Sequence, residues 1–156
     1  MPRLEDLSEV VRQSYLNVPV FEHDNAPFVR PSKPLPASRV ALVTSAGVHL
    51  RGDRPFASGD ESFRVIPSAT PASLITQSHS SVGFDRSAFI RDVNISFPIE
   101  RLRELAERGE IGSLATDFYS FMGAVRSPRR MERETGPEVA GRLLADGVEI
   151  VLLTPT

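Results

Sequence analysis

The sequence predicts an α/β fold with a mainly parallel sheet and flanking helices. A helical pattern that starts near Pro137 runs directly into an apolar run over residues 148–153. Another apolar run, residues 39–45, leads into a glycine-containing turn. Continuous apolar strands connected by helices are typical of parallel sheets whose two faces are both covered. We therefore expect flavodoxin-like or Rossmann-like layers that are incomplete at the carboxyl terminus.

Length and composition indicate a single soluble domain. The 156 residues are 40% hydrophobic and 24% charged, and a chain of this size can bury a substantial core. A net charge of −2 argues against general binding to nucleic acid or to anionic membranes. The sequence has neither an apolar run long enough to span a bilayer nor a signal peptide, so a cytoplasmic protein is expected. The absence of cysteine excludes disulfides, thiolate metal sites and a cysteine nucleophile in the sequence as given.

Residues 1–38 are predicted to form a helix and a connector that pack on an α/β domain of residues 39–156. Apolar residues at helical spacing indicate a helix over residues 3–16. Five prolines between residues 17 and 38 predict an extended connector, because proline is incompatible with regular structure.

Three apolar runs predict the first strands of the sheet, at residues 39–45, 63–66 and 74–78. The first run is followed by the predicted turn Ala46-Gly47-Val48-His49. Residues 79–98 show no regular pattern and are expected to be irregular.

A helix is predicted over residues 99–108, with Gly109 as its carboxyl-terminal stop. The apolar segment 111–122 stays ambiguous between helix and strand. Residues 125–135 are rich in arginine and predict an exposed loop.

The last helix is predicted to be capped by Thr135, to start near Pro137 and to stop at Gly147. Its expected buried stripe consists of Val139, Leu143 and Leu144. The final strand over residues 148–153 is expected to be buried and to end at the carboxyl edge of the sheet. In open α/β sheets, ligands bind just beyond that edge.

His79 is the first candidate for chemistry, because histidine transfers protons near neutral pH. Asp85 or Asp92 is a candidate to orient it. The same pattern is typical of a structural histidine at the start of a loop, so both interpretations stay open.

The loop after the first strand is a candidate binding site. Its small residues allow a ligand to approach the backbone, and Thr44, Ser45 and the N–H groups that follow them are candidates to hold a carboxylate or phosphate. Ser45 and His49 are the candidates to contact a substrate carboxylate. The segment lacks a GxGxxG motif and a Walker lysine, and the alternative is a simple tight turn.

Asp92 and Asn94 alternate with apolar residues, so they line a polar pocket or cap the helix at residue 99. Tyr119 is a further candidate, although a buried tyrosine also needs a hydroxyl partner for purely structural reasons. The three histidines, including His23, match no metal-ligand spacing, so no metal is expected.

Several motifs occur together in one order along the chain. They occupy residues 41–49, 59–64, 66–67, 78–80, 83–85, 92–94, 97–99, 109–114 and 119–123. With these motifs, residues 39–156 resemble the selenoprotein B family of glycine, sarcosine, betaine and D-proline reductases.

The resemblance implies a subunit that cleaves a substrate C–N bond reductively, with a dithiol–disulfide couple as electron donor and acceptor. A selenocysteine or cysteine shortly after Thr156 would attack the α-carbon of a small amino acid or betaine. A pyruvoyl-type carbonyl group on a partner subunit would activate the amine. In this interpretation His79 transfers the proton, Asp85 or Asp92 orients it, and the candidates to contact substrate are Ser45, His49, Asn94 and Tyr119.

The sequence departs from the family pattern at its end, because it stops at Thr156 without the nucleophile. We expect codon 157 to be UGA, and the chain as given to be inactive alone. A final strand without its following helix would expose apolar surface for a second copy or another reductase subunit to cover. The alternatives are a non-catalytic subunit that binds a small carboxylate and a remnant of a broken gene.

Overall fold

The computed structural model describes residues 3–18, 20, 29–81 and 86–155. The helices in these ranges are α1 (Glu9–Leu16), α2 (Ser87–Arg91), α3 (Ile99–Glu107) and α4 (Gly136–Ala145). The strands are β1 (Arg39–Thr44), β2 (Val48–Leu50), β3 (Arg64–Pro67), β4 (Ile75–Gln77), β5 (Ser113–Leu114), β6 (Asp117–Ser120) and β7 (Ile150–Thr154). This architecture confirms the predicted α/β class.

β1 is the central strand of the main sheet. It pairs in parallel with β7 along one side, where Val40 faces Ile150 and Thr44 faces Thr154. Along its other side it pairs in parallel first with β5 and then with β6. β3 adds an antiparallel strand beyond β6, and β2 and β4 form a separate antiparallel pair. The sheet is therefore mainly parallel, as predicted.

Helices cover both faces of this sheet. Phe118 and Tyr119 are neighbours in β6, so their side chains point to opposite faces. The Phe118 ring packs edge-on against Phe97, which directly precedes α3, at a centroid distance of 6.1 Å. The Tyr119 ring packs against Phe63 at 5.8 Å and lines a cavity together with Leu143 of α4. α3 and α4 thus lie on opposite sides of β6.

The prediction that the last strand is buried is wrong for the chain as described. β7 is an edge strand, and β1 is its only strand partner in the described ranges. Val151, Leu152 and Leu153 are 37%, 39% and 66% exposed. Leu144, predicted to be buried in α4, is 75% exposed. The apolar composition of β7 suits a buried strand, but no described residue covers the edge of β7 that faces away from β1.

The start of the last helix also differs from the prediction. Residues 131–135 form a π-helical turn continuous with α4, so Thr135 does not cap the helix. The Glu61 carboxylate accepts hydrogen bonds from the backbone N–H groups of Arg130 at 2.7 Å and Met131 at 3.1 Å. It thereby caps the helical segment, which begins at residue 129, about two turns before Thr135. The Thr135 hydroxyl donates instead to the Glu61 carbonyl at 2.8 Å.

Three smaller differences concern local structure. Val48–Leu50 is a strand and not part of a turn, because it pairs with β4. The ambiguous segment 111–122 contains β5 and β6, and the supposedly irregular residues 79–98 contain α2. The predicted helix 99–108 and its stop at Gly109, which has a φ of 70°, are confirmed.

The amino-terminal helix is divided into a short 3-10 turn (Leu4–Asp6) and α1. Neither segment contains a buried residue. Much of the connector, including His23, lies outside the described residues, so the packing of residues 1–38 on the domain stays a prediction. None of the helices that the structure describes is both long enough and apolar enough to cross a membrane.

Candidate functional site

The parallel strands β1, β6 and β7 end at one edge of the sheet, where a cavity of about 370 Å³ opens. We call it the carboxyl-edge pocket. It is lined by Val43, Thr44, Ser45, Phe121, Met122, Gly123, Val125, Pro128, Met131, Leu153, Thr154 and Pro155. Its position agrees with the general location of ligand sites in open α/β sheets.

The end of β7 is fixed at this pocket by hydrogen bonds. The Thr154 hydroxyl donates to the Ser96 carbonyl at 3.0 Å, and the Ser45 N–H donates to the Thr154 carbonyl at 3.2 Å. The Thr44 hydroxyl lies 3.1 Å from the carbonyl oxygens of both Ser96 and Thr154 and has one proton to donate. The chain therefore leaves β7 in a defined position.

The loops that follow β1 and β6 are also joined to each other. Gly123 N–H donates to the Ser45 carbonyl at 2.8 Å, and Gly47 N–H donates to the Phe121 carbonyl at 2.9 Å. Gly47 has a φ of 65°, and a Cβ at this position would lie 3.3 Å from the backbone of His79. The loop after β1 therefore requires glycine both for its conformation and for its contact with the segment after β4.

His79 is buried behind this loop, with 2% of its surface exposed. Its Nδ1 accepts a hydrogen bond from Ser81 N–H at 3.2 Å, and the Arg86 guanidinium donates to its carbonyl oxygen. Burial, and then the positive charge of Arg86, lower the pKa of His79 below its usual value. The ring is therefore neutral at neutral pH, and because Nδ1 accepts, the proton is on Nε2.

His49 lies in β2 and is 4% exposed. Its Nδ1 is 2.9 Å from the Leu50 carbonyl, and its ring packs edge-on against Phe56 at 6.5 Å. Ser45 lines the carboxyl-edge pocket, whereas His49 does not. The structure thus separates the two residues that were predicted to contact the same carboxylate, and their binding roles stay predictions.

Asp92 and Asn94 form a capping cluster in front of α3. The Asp92 carboxylate accepts from the Asn94 N–H at 2.9 Å and from its side-chain amide at 2.8 Å. These hydrogen bonds lower the pKa of Asp92. The Asn94 side-chain oxygen accepts the backbone N–H of Glu100 at 3.0 Å, so the segment satisfies an orphan donor at the start of the helix. This geometry favours the capping alternative.

Tyr119 faces a different cavity, of about 330 Å³, at the amino end of the sheet. Its neighbours there include Asp117 and Arg142. Burial, followed by the negative charge of Asp117, raises the pKa of the Tyr119 hydroxyl. Asp85 lies outside the described residues, so its predicted contact with His79 is untested. In the ranges that are described, no group of three or more His, Asp or Glu side chains could hold a metal ion.

Of the predicted site residues, Ser45 lines the carboxyl-edge pocket, while His79, His49, Asp92, Asn94 and Tyr119 do not. Thr44, which the sequence predicted together with Ser45 as a contact for a carboxylate or phosphate, also lines this pocket, whereas the prediction missed Thr154 and the segment 121–123. Their common signal is that each occurs at the end of a strand, and strand order brings these ends together. The Ser96 carbonyl left no signal in the sequence, because it is a backbone atom.

Comparisons with known proteins agree on one family. The sequence model described as glycine/sarcosine/betaine reductase selenoprotein B matches residues 7–156. The D-proline reductase subunit gamma of Acetoanaerobium sticklandii is 43% identical over 79% of this chain and 50% of its own length. The sarcosine reductase complex component B subunit beta of Peptoclostridium acidaminophilum is 31% identical over 89% of this chain and 32% of its own length. The glycine reductase complex component B subunit gamma of Carboxydothermus hydrogenoformans is 30% identical over 90% of this chain and 33% of its own length.

The chain thus spans half of the first of these relatives and about a third of the other two. No solved structure matches it.

Proposed function

The chain belongs to the glycine/sarcosine/betaine reductase selenoprotein B family, and from this premise we propose that it positions a reacting chalcogen at the carboxyl edge of its sheet. The proposed reaction is reductive cleavage of a C–N bond in a small amino acid or betaine. A dithiol–disulfide couple is the proposed electron source, and other reductase subunits are the proposed partners.

The fixed end of β7 carries this proposal. Thr154 is held by Ser96 and Ser45 at the carboxyl-edge pocket, so the direction in which the polypeptide continues is constrained. An extended residue spans at most about 3.6 Å, so a residue at position 157 lies within about 11 Å of Thr154. A selenocysteine or cysteine at position 157 is therefore within reach of the pocket.

Such a residue supplies a soft, ionised nucleophile for attack on the substrate's α-carbon. The amine leaves with the electrons of the C–N bond, and a pyruvoyl-type carbonyl group on a partner subunit is the proposed amine-activating group. The residues of this chain position and protect the reacting groups. Apolar side chains such as Val43 and Phe121 line the pocket and are proposed to limit the access of water to its inner part.

Two arginines next to the pocket favour negative charge. Arg126 and Arg129 follow and flank the lining residues Val125 and Pro128, and both are exposed. In the described part of the chain, neither forms an ion pair. A nearby cation lowers the pKa of a thiol or selenol and attracts a substrate carboxylate. These residues are therefore proposed to support ionisation of the nucleophile.

His79 remains the proposed proton-transfer group. Its neighbour Ser80 places a hydroxyl 3.5 Å from the Met122 sulfur, and Met122 lines the carboxyl-edge pocket. The lowered pKa keeps the imidazole neutral, so it is proposed to act first as a base that takes the proton of the attacking selenol or thiol, and then, as imidazolium, to give that proton to the leaving amine. Asp85 or Asp92 remains proposed as the residue that orients its ring.

A second candidate function is that of a non-catalytic subunit that binds a small carboxylate. One observation favours it: the described residues that line the carboxyl-edge pocket include no titratable side chain. Under this interpretation the pocket contributes hydroxyl and N–H groups for binding but no acid, base or nucleophile.

The test is an amine-release assay on the chain extended past Thr156 by its own downstream codons. The extended chain is combined with its partner subunits and excess dithiol, and glycine, sarcosine, betaine and D-proline are tried in turn. We expect one C–N bond cleaved for each disulfide formed with at least one substrate. Cleavage is detected as released amine for glycine, sarcosine and betaine, and as the new primary amine of the ring-opened product for D-proline. The matched control carries alanine at position 157 and should release none. Failure of all four substrates contradicts the proposal, and substrate binding without disulfide formation favours the second candidate.

A further inference from the structure

A larger cavity, of about 480 Å³, lies between β4 and the α2–α3 region. We call it the β4–α2 cavity. It shares no lining residue with the carboxyl-edge pocket. Its volume is in the range typical of small-molecule sites, which is about 300–1,000 Å³. The proposed chemistry at the carboxyl edge makes no use of it.

One part of its lining is cationic. The Arg51 Nε donates to the Ser73 carbonyl at 2.8 Å, which fixes the side chain and leaves its terminal N–H groups available. Arg91, at the end of α2, also lines the cavity. In the described ranges, Arg91 makes neither a side-chain hydrogen bond nor an ion pair. Guanidinium groups bind carboxylates through paired N–H donors, so this wall suits a carboxylate.

Another part of the lining is anionic. Asp92 and Glu100 both border the cavity, and the Asn94 side-chain nitrogen donates to both, at 2.8 Å and 2.7 Å. The shared donor holds two negative charges close together. Neither carboxylate forms an ion pair with any residue that the structure describes. The hydrogen bonds from Asn94, and after them the positive charge of Arg101, lower the pKa of Asp92. Two neighbouring carboxylates are stabilised by a cation between them, so this wall suits an ammonium group.

The lining also contains Phe89 and Ile75, which are both buried apolar residues. Aromatic and carboxylate groups together are the usual partners of alkylated ammonium groups. We propose that the β4–α2 cavity binds a small zwitterion, an amino acid or its N-methylated form. Its carboxylate binds Arg51 and Arg91, and its ammonium binds Asp92 and Glu100. The choice of ligand class rests on the proposed reductase function.

The cavity is structurally linked to the carboxyl-edge pocket. Asp92 borders the cavity, and four residues later the Ser96 carbonyl accepts the hydroxyl proton of Thr154 at the end of β7. A ligand held by Asp92 therefore acts on the segment that fixes β7.

The test is titration calorimetry of the 156-residue chain with betaine, and with propionate and tetramethylammonium as ligands that carry one charge each. We expect saturable binding of one betaine per chain, at least tenfold tighter than that of either half-ligand. Arg91→Gln and Glu100→Gln should each weaken betaine binding at least tenfold. The matched controls Arg108→Gln and Glu107→Gln, on exposed positions of the same region, should leave it unchanged.

Arg91→Gln removes no described hydrogen bond, so this variant tests the inference even if Glu100→Gln disturbs the start of α3. The inference is overturned if betaine gives no saturable binding, if a half-ligand binds as tightly, or if the control variants weaken binding equally. Betaine binding that depends on Arg91, without amine release by the complete complex, supports the inference and contradicts the reductase function. Amine release without such betaine binding supports the reductase function and contradicts the inference.

Discussion

Replacing Glu61 by alanine should destabilise the chain, because its carboxylate caps the helical segment that leads into α4. One carboxylate oxygen accepts two backbone N–H groups, at 2.7 Å from Arg130 and 3.1 Å from Met131. Loss of a helix cap costs about 0.5–2 kcal/mol, and a hydrogen bond to a charged group contributes about 1.5–3 kcal/mol. Because Glu61 is only half-buried, water replaces part of this loss. We expect a decrease of about 2 kcal/mol in the free energy of unfolding.

Urea denaturation followed by circular dichroism measures this change, provided that the slope m stays constant between variants. Glu61→Gln keeps an oxygen acceptor but loses the charge, so it should cost about 1 kcal/mol. Glu132→Ala removes an exposed carboxylate from the same helical segment and should change stability by less than about 0.5 kcal/mol. If Glu61→Ala is no more destabilising than Glu132→Ala, the assignment of Glu61 as the cap is refuted.

Three further predictions follow from the site. Thr154→Val removes a hydroxyl that donates to the Ser96 carbonyl at 3.0 Å and should lower the free energy of unfolding by about 1 kcal/mol. An unchanged melting temperature would show that this hydrogen bond does not fix β7. Gly47→Ala should cost more than Gly52→Ala, because both have positive φ but only Gly47 contacts other backbone, at 3.3 Å; equal losses in urea denaturation would contradict this. The lowered pKa of His79 means that the folded protein binds fewer protons there than the unfolded chain, so stability is complete above about pH 6.5 and falls as the pH drops. Between pH 7.5 and pH 5.5 the free energy of unfolding should therefore decrease less for His79→Asn than for the wild type. An equal decrease would show that the pKa of His79 is not lowered in the folded protein.

Local patterns in the sequence predicted most of the individual elements. The apolar run of β1, the stop of α3 at Gly109 and the helix preceding β7 all follow from residue spacing and glycine placement. The parallel sheet followed from a helix that runs into a continuous apolar strand. These features depend on neighbouring residues, which a single sequence displays directly.

The predictions that were wrong or missing depend on contacts between residues far apart in the sequence. Thr135 has a side chain suited to capping a helix, but the helical segment starts before it. Its first N–H groups are capped by the Glu61 carboxylate, which is 69 residues from Arg130 along the chain. The composition of β7 indicates burial, yet composition carries no information on whether a covering element is present. The position of Thr154 beside Ser96 depends on a backbone carbonyl, which residue types do not reveal.

In the candidate site, too, local sequence patterns predicted some features and long-range contacts determined the others. Ser45 was identifiable because it is the last residue of a predicted strand, and it does line the carboxyl-edge pocket. His79 and His49 have the same side chain, but the structure places one in the loop after β4 and the other inside β2. The pairing of β2 with β4 fixes the position of His49, and the turn predicted at residues 46–49 did not anticipate that pairing.

Disulfide formation from an added cysteine at position 157 tests most directly whether β7 delivers the next residues to the carboxyl-edge pocket. The extended chain also carries Val125→Cys, in the lining of the pocket, or Ser58→Cys, on an exposed loop outside it. A disulfide needs Cα atoms within about 7 Å of each other. We expect efficient intramolecular disulfide formation with Val125→Cys and little with Ser58→Cys under mild oxidation. Equal yields, or a disulfide with Ser58→Cys alone, would contradict it.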